Sequence, residues 1–505
     1  MLITERYAKK IRGVISCYDR IILTGTIPTL CYSQGMSSYL YFKGVRIFDY
    51  PRFAEPFREQ IRENAEAIAR ENNVSIEFVR KEHIRKEDIV AAKIKERGDH
   101  PGLVHIISAM EGCPSYRPWH DKTSGKTYLK GVSGKCLHYY FYLIDEDFGL
   151  VYVRVPTWCP FTLQIYFNGH NWLSGKLKKA GIQHELADNA LMSISDWTKA
   201  QAMSDEVDIK KLHARLDEWA KRFCPVLDSF EQQYHWSVMQ VEYATDIVFH
   251  KQESLQAIYP DLFKTAIHTV TPDLIATFLG KKITNNLQCE MGNNYHVRLE
   301  GRRVKHVMGP VSIKMYDKFA QILRIEVTVN NLNFLKHYRR VEHKDGSRDH
   351  QFAAFKKNIY SLAPLQDILK AINQRYIDFI SQIETRDIGR SNLNKISQSI
   401  TENNHHYKGI NFFDDDDNSI LMSIIRGEQC IRGFQNKNLR ERLNGKTSTQ
   451  VSRLLKRLKV HGIIKKARDS YRYHVTAMGR SVILTALKLK ECLIIPELNC
   501  IRAKS

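Results

Sequence analysis

The sequence lacks the signatures of several large protein classes. No Cys-x-x-Cys pair occurs among its ten cysteines, so neither a zinc finger nor a disulfide framework is indicated. No apolar run reaches the roughly 18 residues of a membrane span, and the N-terminal segment carries charges throughout, unlike a secretory signal. Walker, G-x-G-x-x-G, G-x-S-x-G and H-E-x-x-H motifs are also missing. These absences argue against ATPases, dehydrogenases and serine hydrolases, and they favour a cytoplasmic protein with no membrane partner.

Positive charge, in contrast, is abundant and unevenly distributed. The 505 residues carry a formal net charge of +21. From residue 419 to the end there are 19 Lys and Arg against 5 Asp and Glu, which leaves a net charge of only +7 for the rest of the chain. Because a concentrated cationic segment attracts polyanions, this distribution favours a nucleic-acid partner.

Length and composition predict several domains. With 43% hydrophobic residues the chain can form true cores, and its length fits about three domains. We expect an α/β N-terminal domain (1–195), a helical segment followed by a β-meander (196–402), an acidic linker (403–418) and a winged-helix domain (419–505). The expected fold class is therefore an α+β or α/β multidomain body with an antiparallel meander, plus a C-terminal winged helix-turn-helix domain. The linker contains four consecutive aspartates, Asp414 to Asp417.

The segment 447–462 has the pattern of a capped amphipathic helix. Thr447 and Gln450 have capping-box spacing, and Gly462 fits the left-handed position after the last turn. Apolar residues recur at the spacing of one helical face. This stripe comprises Val451, Leu454, Leu455 and Leu458. A shorter helix precedes it and a two-stranded hairpin follows it, which is the order of a winged helix-turn-helix.

The opposite face of that helix has the composition of a DNA-reading surface. Its first turn is small and polar, which allows a close approach to base edges, and its later turns are cationic, which suits phosphates. The residues expected to bind DNA are Ser448, Thr449, Ser452, Arg453, Lys456 and Arg457 on the helix and Lys465, Lys466, Arg468 and Arg472 on the hairpin. The alternative is a winged helix that contacts protein, with a cationic face that is merely solvated.

This C-terminal segment resembles the winged-helix family of bacterial regulators, in particular the MarR-like group. The resemblance covers about 70 to 85 residues and implies a DNA-binding module. The whole chain also resembles a bacterial family labelled only by its winged helix. That label implies nothing about the first four hundred residues.

Within the body, residues 294–331 alternate with the period of strands and predict a three-stranded meander. If its strands are neighbours, one face carries a tyrosine together with cations and carboxylates, a combination suited to cleaving phosphodiesters. The polar residues of that face are Arg298, Glu300, Lys314, Tyr316, Arg324 and Glu326. The catalytic candidates are Tyr316, Lys314, Arg324 and Glu326, and Glu300 with Glu326 could hold Mg²⁺ or Mn²⁺. The alternative is cross-strand ion pairing on a solvated face.

Two short strings in this meander, "YDK" and "LRIE", resemble a stretch of plasmid rolling-circle replication initiators. Those proteins nick DNA through a tyrosine and often carry a winged-helix partner domain. The sequence departs from the wider nickase pattern because it contains no His-x-His. The resemblance therefore implies a strand pair more directly than a metal-dependent nicking site.

Other carboxylates lie at predicted strand ends, and a ribonuclease-H-like metal site would need them to converge. These residues are Asp19, Glu111, Asp145 and Asp147. Glu242 and Asp246 form a separate pair, predicted to lie one helical turn apart, and their role is open. Caps and turns are the alternative use of such carboxylates. Two histidines, His138 and His170, are interpreted as structural.

The leading functional hypothesis is a DNA-binding protein of a mobile or replicating element, in which the winged helix selects a site and the body processes or remodels the DNA. Whether the body nicks or transfers strands is open. One alternative is a MarR-like transcriptional regulator whose body senses a ligand or oligomerises. Another is an RNA-binding or scaffold protein. The expected partner is double-stranded DNA, with single-stranded nucleic acid and self-association as further options.

Overall fold

A computed structural model of the protein describes residues 2–80, 84–281, 291–298, 301–381, 396–425, 433–443, 445–467 and 470–495. The helices are α1 Ile3–Arg6, α2 Ser33–Phe42, α3 Tyr50–Glu71, α4 Lys86–Arg97, α5 Gly169–Lys179, α6 Trp197–Asp205, α7 Ile209–Phe223, α8 Gln252–Gln256, α9 Tyr259–Thr269, α10 Pro272–Phe278, α11 Leu362–Ile380, α12 Asp415–Ile424, α13 Asn436–Arg440, α14 Ser448–Val460 and α15 Ala477–Leu489. The strands are β1 Ile11–Thr26, β2 Ile76–Phe78, β3 Gly102–His120, β4 Thr127–Asp145, β5 Gly149–Pro156, β6 Leu163–Asn168, β7 His184–Ala187, β8 Ala190–Ile194, β9 His235–Phe249, β10 Met291–Arg298, β11 Gly301–Met308, β12 Val311–Lys318, β13 Ile322–Val329, β14 Lys336–Glu342, β15 Arg348–Ala354, β16 Ile400–Glu402, β17 His405–Tyr407, β18 Ile464–Lys466 and β19 Tyr473–Val475.

Eleven of these strands form one sheet, in the order β10-β11-β12-β13-β9-β1-β6-β5-β4-β3-β2. The sheet is mixed, because β2 pairs parallel to β3 whereas β3 to β6 pair antiparallel to one another. Four separate two-stranded sheets complete the strands described. The expectation of a mixed α and β body with an antiparallel meander is confirmed. Within the described residues, no helix is both long and apolar enough to cross a membrane.

The chain divides into two compact units, and each consists of separated segments. The first unit contains Met1–Val14, Thr245–Val327 and Lys370–Ser505, and the second contains Ile15–Ala244 and Thr328–Leu369. Neither follows the boundaries expected from the sequence, because the long strands β1, β9 and β13 each contribute residues to both.

In the second unit, helices cover buried strands. Ile15 and Cys17 of β1 form a core with α5, β8 and α6, and Val90 of α4 contacts β3 and β4 around Ile107 and Tyr140. The helix α7 forms as its apolar spacing predicts, because its face of Leu212, Leu216, Trp219 and Phe223 is buried. Such burial contributes about 1.5–3 kcal/mol for each large apolar side chain.

The meander of the first unit has four strands, not the three expected. The strand β11, in the basic stretch Gly301–Met308, lies between β10 and β12, so the first and second expected strands are not neighbours. The polar face of β13 is also not solvated, since every residue of that strand is buried. The charged residues on it must therefore be paired.

Two further expectations differ from the structure. The segment containing Glu242 and Asp246 is the strand β9 and not a helix, so these residues share a face by period two. Residues 403–418 contain β17 and the beginning of α12, which Asp414 caps through a hydrogen bond from the Asp417 amide. The expected acidic linker is thus largely folded.

The described parts of residues 396–489 contain one hydrophobic core in the first unit. It joins Ile410 and Phe412 to the apolar faces of α12, α13, α14 and α15 and to Ile464 of β18. Phe434 forms an isolated antiparallel bridge with Tyr473 of β19, through hydrogen bonds between the amide of each residue and the carbonyl of the other.

Candidate nucleic-acid interface and tyrosine cluster

The helix α14 begins and ends as its sequence predicts. Thr447 and Gln450 form a reciprocal capping box, with the Thr447 amide donating to Gln450 Oε1 at 2.7 Å. Gly462 has a φ of +70°, which favours glycine. The apolar stripe is buried at Val451, Leu455 and Leu458. The orientation of the helix is therefore fixed by its apolar face, and its polar face points away from the core.

The small polar residues at the start of α14 are exposed and partly held by the preceding helix. Asn436 of α13 donates from Nδ2 to the Ser448 carbonyl at 3.0 Å and to Ser452 Oγ at 2.8 Å. Thr449 and Arg453 are exposed on the same helix. Lys456, also exposed, forms an ion pair with Glu402 at 2.7 Å, with both side chains 45% exposed. Such a solvent-exposed pair is weak and is readily exchanged for a phosphate.

Arg457 does not belong to this exposed surface. Its guanidinium donates to both oxygens of Asp417, at 2.7 and 2.8 Å, and to the carbonyls of Lys408 and Gly409. The side chains of Arg457 and Asp417 are only 16% and 9% exposed. The assignment of Arg457 to DNA contact is therefore revised: it fixes α14 to the start of α12.

The hairpin after α14 presents the remaining expected cations. Lys465, Lys466 and Arg472 are exposed, and Lys466 lies 5.4 Å from the ring centroid of Tyr471. Arg468 lies outside the described residues. In this part of the chain, exposed cations therefore occur on both the helix and the hairpin.

A second cluster, on β12 and β13, consists of Tyr316, Lys314 and Glu326, and we call it the tyrosine cluster. The Tyr316 hydroxyl donates to Glu326 Oε2 at 2.7 Å, and Lys314 Nζ lies 2.5 Å from Glu326 Oε1. Glu326 is buried, whereas Tyr316 and Lys314 are half-buried. A carboxylate that accepts a phenol hydrogen bond is placed to remove that proton, and the Lys314 ammonium lies beside the same carboxylate.

The neighbouring strand β11 adds cations to the same face. Arg303 is directly opposite Tyr316 in the register, and Lys305 is directly opposite Lys314. Residues that are directly opposite in an antiparallel pair point to the same side of the sheet. The tyrosine cluster is therefore bordered by cationic residues that could contact a phosphodiester.

Arg324, which was expected beside Tyr316, has a different partner. Its Nε and one terminal nitrogen donate to the two oxygens of Asp246, both at 2.6 Å, and both side chains are fully buried. A guanidinium in this position cannot reach a bound phosphodiester. Arg324 is thus removed from the catalytic candidates and assigned to a structural ion pair.

In the second unit, Asp19 is the centre of a buried polar cluster. Its Oδ1 accepts hydrogen bonds from the side-chain amides of Asn168 and Asn189, at 3.1 and 2.7 Å, and lies 3.0 Å from His170 Nδ1. Asn168 also caps α5, and a Cβ at Gly169 would be 2.0 Å from the Tyr18 carbonyl. Only glycine allows this turn to approach β1 so closely.

Glu242 lies near this cluster and offers a second carboxylate. One oxygen of Glu242 and one of Asp19 are within 4.8 Å of each other, and Glu242 Oε1 accepts from Thr328 Oγ1 at 3.2 Å. Carboxylate oxygens at such separations can bind a divalent cation such as Mg²⁺. The sequence indicated Asp19 as a candidate ligand and left the role of Glu242 open, and it did not indicate Asn168 or Asn189, since no local pattern relates residues so far apart in the chain.

Of the two metal ligands expected in the meander, the structure describes only Glu326. Glu300 lies outside the described residues, and both oxygens of Glu326 accept from Tyr316 and Lys314. A metal ion at Glu326 would have to share these oxygens with a cation.

The other candidate carboxylates have structural partners. Glu111 accepts from Lys86, Tyr140 and Arg154; burial raises its pKa, but these donors outweigh burial and lower the pKa to about 2. Asp145 accepts from the amides of the turn after β4 and pairs with Arg215 at 3.0 Å. Asp147, in that turn, pairs with Lys179 and Lys211.

The two histidines interpreted as structural are both buried. His138 is 1% exposed, and burial lowers its pKa to about 4. His170 is fully buried beside Asp19.

Comparison with known proteins gives no assignment. No family model matches the sequence, and no curated protein or solved structure matches the chain.

Proposed function

We propose that the protein binds duplex DNA through α14 and the β18–β19 hairpin and processes or remodels that DNA with its body, as a protein of a mobile or replicating element. One observation carries the proposal. The exposed face of α14 has small polar residues at its N-terminal end and cations further along, and an exposed cationic hairpin follows. The order of α13, turn, α14 and hairpin supports the proposal, because a DNA-binding winged helix-turn-helix has its elements in the same order.

The side chains on this face match the two kinds of contact at protein–DNA interfaces, those to base edges and those to phosphates. Small hydroxyl side chains at Ser448, Thr449 and Ser452 let the helix end approach base edges, where Arg453 can donate twice to a guanine. Lys459, Lys465 and Lys466 are exposed and suit the phosphates on either side. Basic residues are concentrated in this segment of the chain, which supports an electrostatic role.

The test compares two variants by gel shift on a DNA site selected from a random pool. Arg453→Ala should weaken binding to the selected site by about 1–3 kcal/mol and relax its specificity. Lys465→Ala should weaken binding to all sequences alike and reduce the slope of log K against log salt by about 1. Lys95→Ala, which removes an exposed cation from α4, is the matched control. If Arg453→Ala binds the selected site as tightly as the wild-type protein does, α14 is not the helix that contacts the DNA bases.

For the body, the tyrosine cluster favours a second proposal, strand cleavage. Glu326 would accept the phenol proton, and the Tyr316 oxygen would attack phosphorus. A phosphotyrosine bond then forms while the bond from phosphorus to one deoxyribose oxygen breaks, and that oxygen takes up a proton. Lys314 and the cations of β11 would stabilise the negative charge that develops on the phosphate.

Within the second unit, Asp19 and Glu242 are two carboxylates whose oxygens lie close enough to hold Mg²⁺ or Mn²⁺. Such an ion would polarise a phosphoryl oxygen as a Lewis acid. The surrounding amides of Asn168 and Asn189 would keep the Asp19 carboxylate in place.

Nicking of supercoiled plasmid with Mg²⁺ or Mn²⁺ tests the cleavage proposal. Tyr316→Phe and Glu326→Gln should abolish nicking and leave duplex binding intact. Tyr338→Phe, at an exposed tyrosine of β14, should nick like the wild-type protein. If the wild-type protein binds plasmid and nicks it with neither metal, the enzymatic proposal fails and the transcriptional-regulator alternative is favoured.

A further inference from the structure

The ends of β3 and β4 form a two-stranded ribbon that extends past the sheet. The two strands pair with each other from Glu111–Cys136 to His120–Thr127. In the described structure, β2 pairs with β3 only at Ser108 and earlier, and β5 pairs with β4 only from His138 onward. Among the described residues, the only strand neighbours of residues 112–135 are therefore each other.

One face of the ribbon is anchored to its own unit. Tyr116 and Leu129 on this face are buried; the Tyr116 hydroxyl donates to the Leu30 carbonyl at 2.6 Å, and the Leu129 amide donates to Ser37 Oγ. These bonds hold the ribbon against α2 and the segment before it. The ribbon is thus a supported element with a defined orientation and not a free arm.

The opposite face exposes two aromatic rings between cations. Trp119 is directly opposite Tyr128, and Arg117 is directly opposite Lys130, so all four side chains share one face. Trp119 and Tyr128 are 39% and 41% exposed. The Arg117 guanidinium and the Lys130 ammonium lie 5.3 and 4.9 Å from the Trp119 ring centroid. Residues 112–135 contain five Lys and Arg and one acidic residue.

We propose that this face of the ribbon binds single-stranded nucleic acid, with unpaired bases stacked on Trp119 and Tyr128 and the backbone held by the flanking cations. Exposed aromatic rings accept any base, and adjacent cations neutralise phosphates. A duplex offers no free base faces to these rings, because its bases are stacked on one another. The proposal goes beyond duplex binding by the C-terminal segment and does not depend on it.

Fluorescence anisotropy of the full-length protein with labelled oligothymidylate and oligouridylate of about 20 nucleotides is the direct test. Trp119→Leu keeps an apolar side chain but removes the ring, and it should weaken binding about 5- to 150-fold, the range for loss of one stacked base. Trp119→Phe retains a ring and should restore most of the affinity. Joint replacement of Arg117 and Lys130 by Gln should reduce the salt slope by about 0.7 for each phosphate that these cations no longer neutralise.

Three controls separate stacking from other effects. Phe413→Leu removes an exposed ring beside the aspartate run and should leave binding unchanged. Heparin, a polyanion without bases, should bind Trp119→Leu as well as it binds the wild-type protein. Binding to the selected duplex site should be weakened in Arg453→Ala but retained in Trp119→Leu, which keeps this proposal distinct from the proposed function.

Several outcomes would overturn the proposal. They are failure of the wild-type protein to bind either oligonucleotide, equal affinity of the wild-type and Trp119→Leu proteins, and equal loss of heparin and oligonucleotide binding in Trp119→Leu. If folding of Trp119→Leu is impaired, the joint replacement of Arg117 and Lys130 tests the proposal through the salt slope, and an unchanged slope would overturn it. If Trp119→Leu weakens binding to only one of the two oligonucleotides, the proposal is supported, and the affected oligonucleotide shows whether the ribbon binds DNA or RNA.

Discussion

Replacing Arg457 with Ala should destabilise the first unit strongly, although this residue lies on the helix proposed to contact DNA. The change removes two charge-assisted bonds to Asp417 and two bonds to backbone carbonyls. It also leaves the Asp417 carboxylate, only 9% exposed, without its guanidinium partner. Breaking a buried ion pair from one side costs about 3–5 kcal/mol. By comparison, removal of an exposed side chain such as Arg453 changes stability by about 0.5 kcal/mol or less.

Urea unfolding followed by circular dichroism measures this difference. With a slope of about 2 kcal/mol per molar urea, the loss corresponds to a midpoint lower by about 2 M for the transition of the first unit. Arg453→Ala, one helical turn earlier, is the matched control and should unfold at the wild-type midpoint. Replacing Asp417 and Arg457 together by Leu and Met should recover much of the loss, because neither charge is then left buried alone.

Measurements of unfolding and of DNA binding on Arg457→Ala together distinguish a structural role of Arg457 from a DNA-contacting role. If Arg457→Ala unfolds at the wild-type midpoint and loses duplex DNA binding as Arg453→Ala does, then Arg457 contacts DNA and the reasoning from its buried partners is wrong. A lower midpoint together with unchanged site affinity under native conditions would support the structural role assigned to it.

The other predictions concern buried ionisable groups. Burial lowers the pKa of His138 from 6.5 to about 4, so between these pH values the unfolded state binds more protons than the folded state. The contribution of neutral His138 to the free energy of unfolding is therefore fully present above pH 6.5 and is lost as the pH falls toward 4. Between pH 7 and pH 5, the free energy of unfolding measured in urea should fall by about 2 kcal/mol less in His138→Asn than in the wild-type protein. Equal losses in the two proteins would contradict the lowered pKa of His138. Asp246→Asn should lower the free energy of unfolding by about 3–5 kcal/mol, because it leaves the buried Arg324 guanidinium without its carboxylate partner. If Asp246→Asn unfolds at the wild-type urea midpoint, this ion pair does not stabilise the fold.

Local patterns predicted the elements whose residues lie close together in the chain. The capping box at Thr447, the apolar stripe of α14 and the glycine at 462 are all found as expected. Each depends on interactions within four residues or on the burial of one face, and both are visible in a sequence. The pairing of Tyr316, Lys314 and Glu326 also followed from strand alternation once β12 and β13 were recognised as neighbours.

The partners of buried charges could not be predicted in the same way. Arg457 meets Asp417, forty residues earlier, and Arg324 meets Asp246, seventy-eight residues earlier. In the sequence, both arginines have the spacing of surface residues on an amphipathic element. The segment around Glu242 and Asp246 was assigned to a helix because residues four apart share a face in helices and also in strands. In each case, contacts between residues far apart in the chain determined the structure that formed.

The division of the chain into interleaved units has a consequence for its synthesis. The first fourteen residues belong to the same unit as Thr245–Val327, so their partners are not translated until about 230 residues later. At about 5–20 residues per second, the N-terminal segment leaves the ribosome roughly ten to fifty seconds before it can fold into place. During that interval Ile11–Val14, the part of β1 that belongs to the first unit, lack the later segments of that unit, and we predict that slowing translation before Thr245 raises the fraction of insoluble protein.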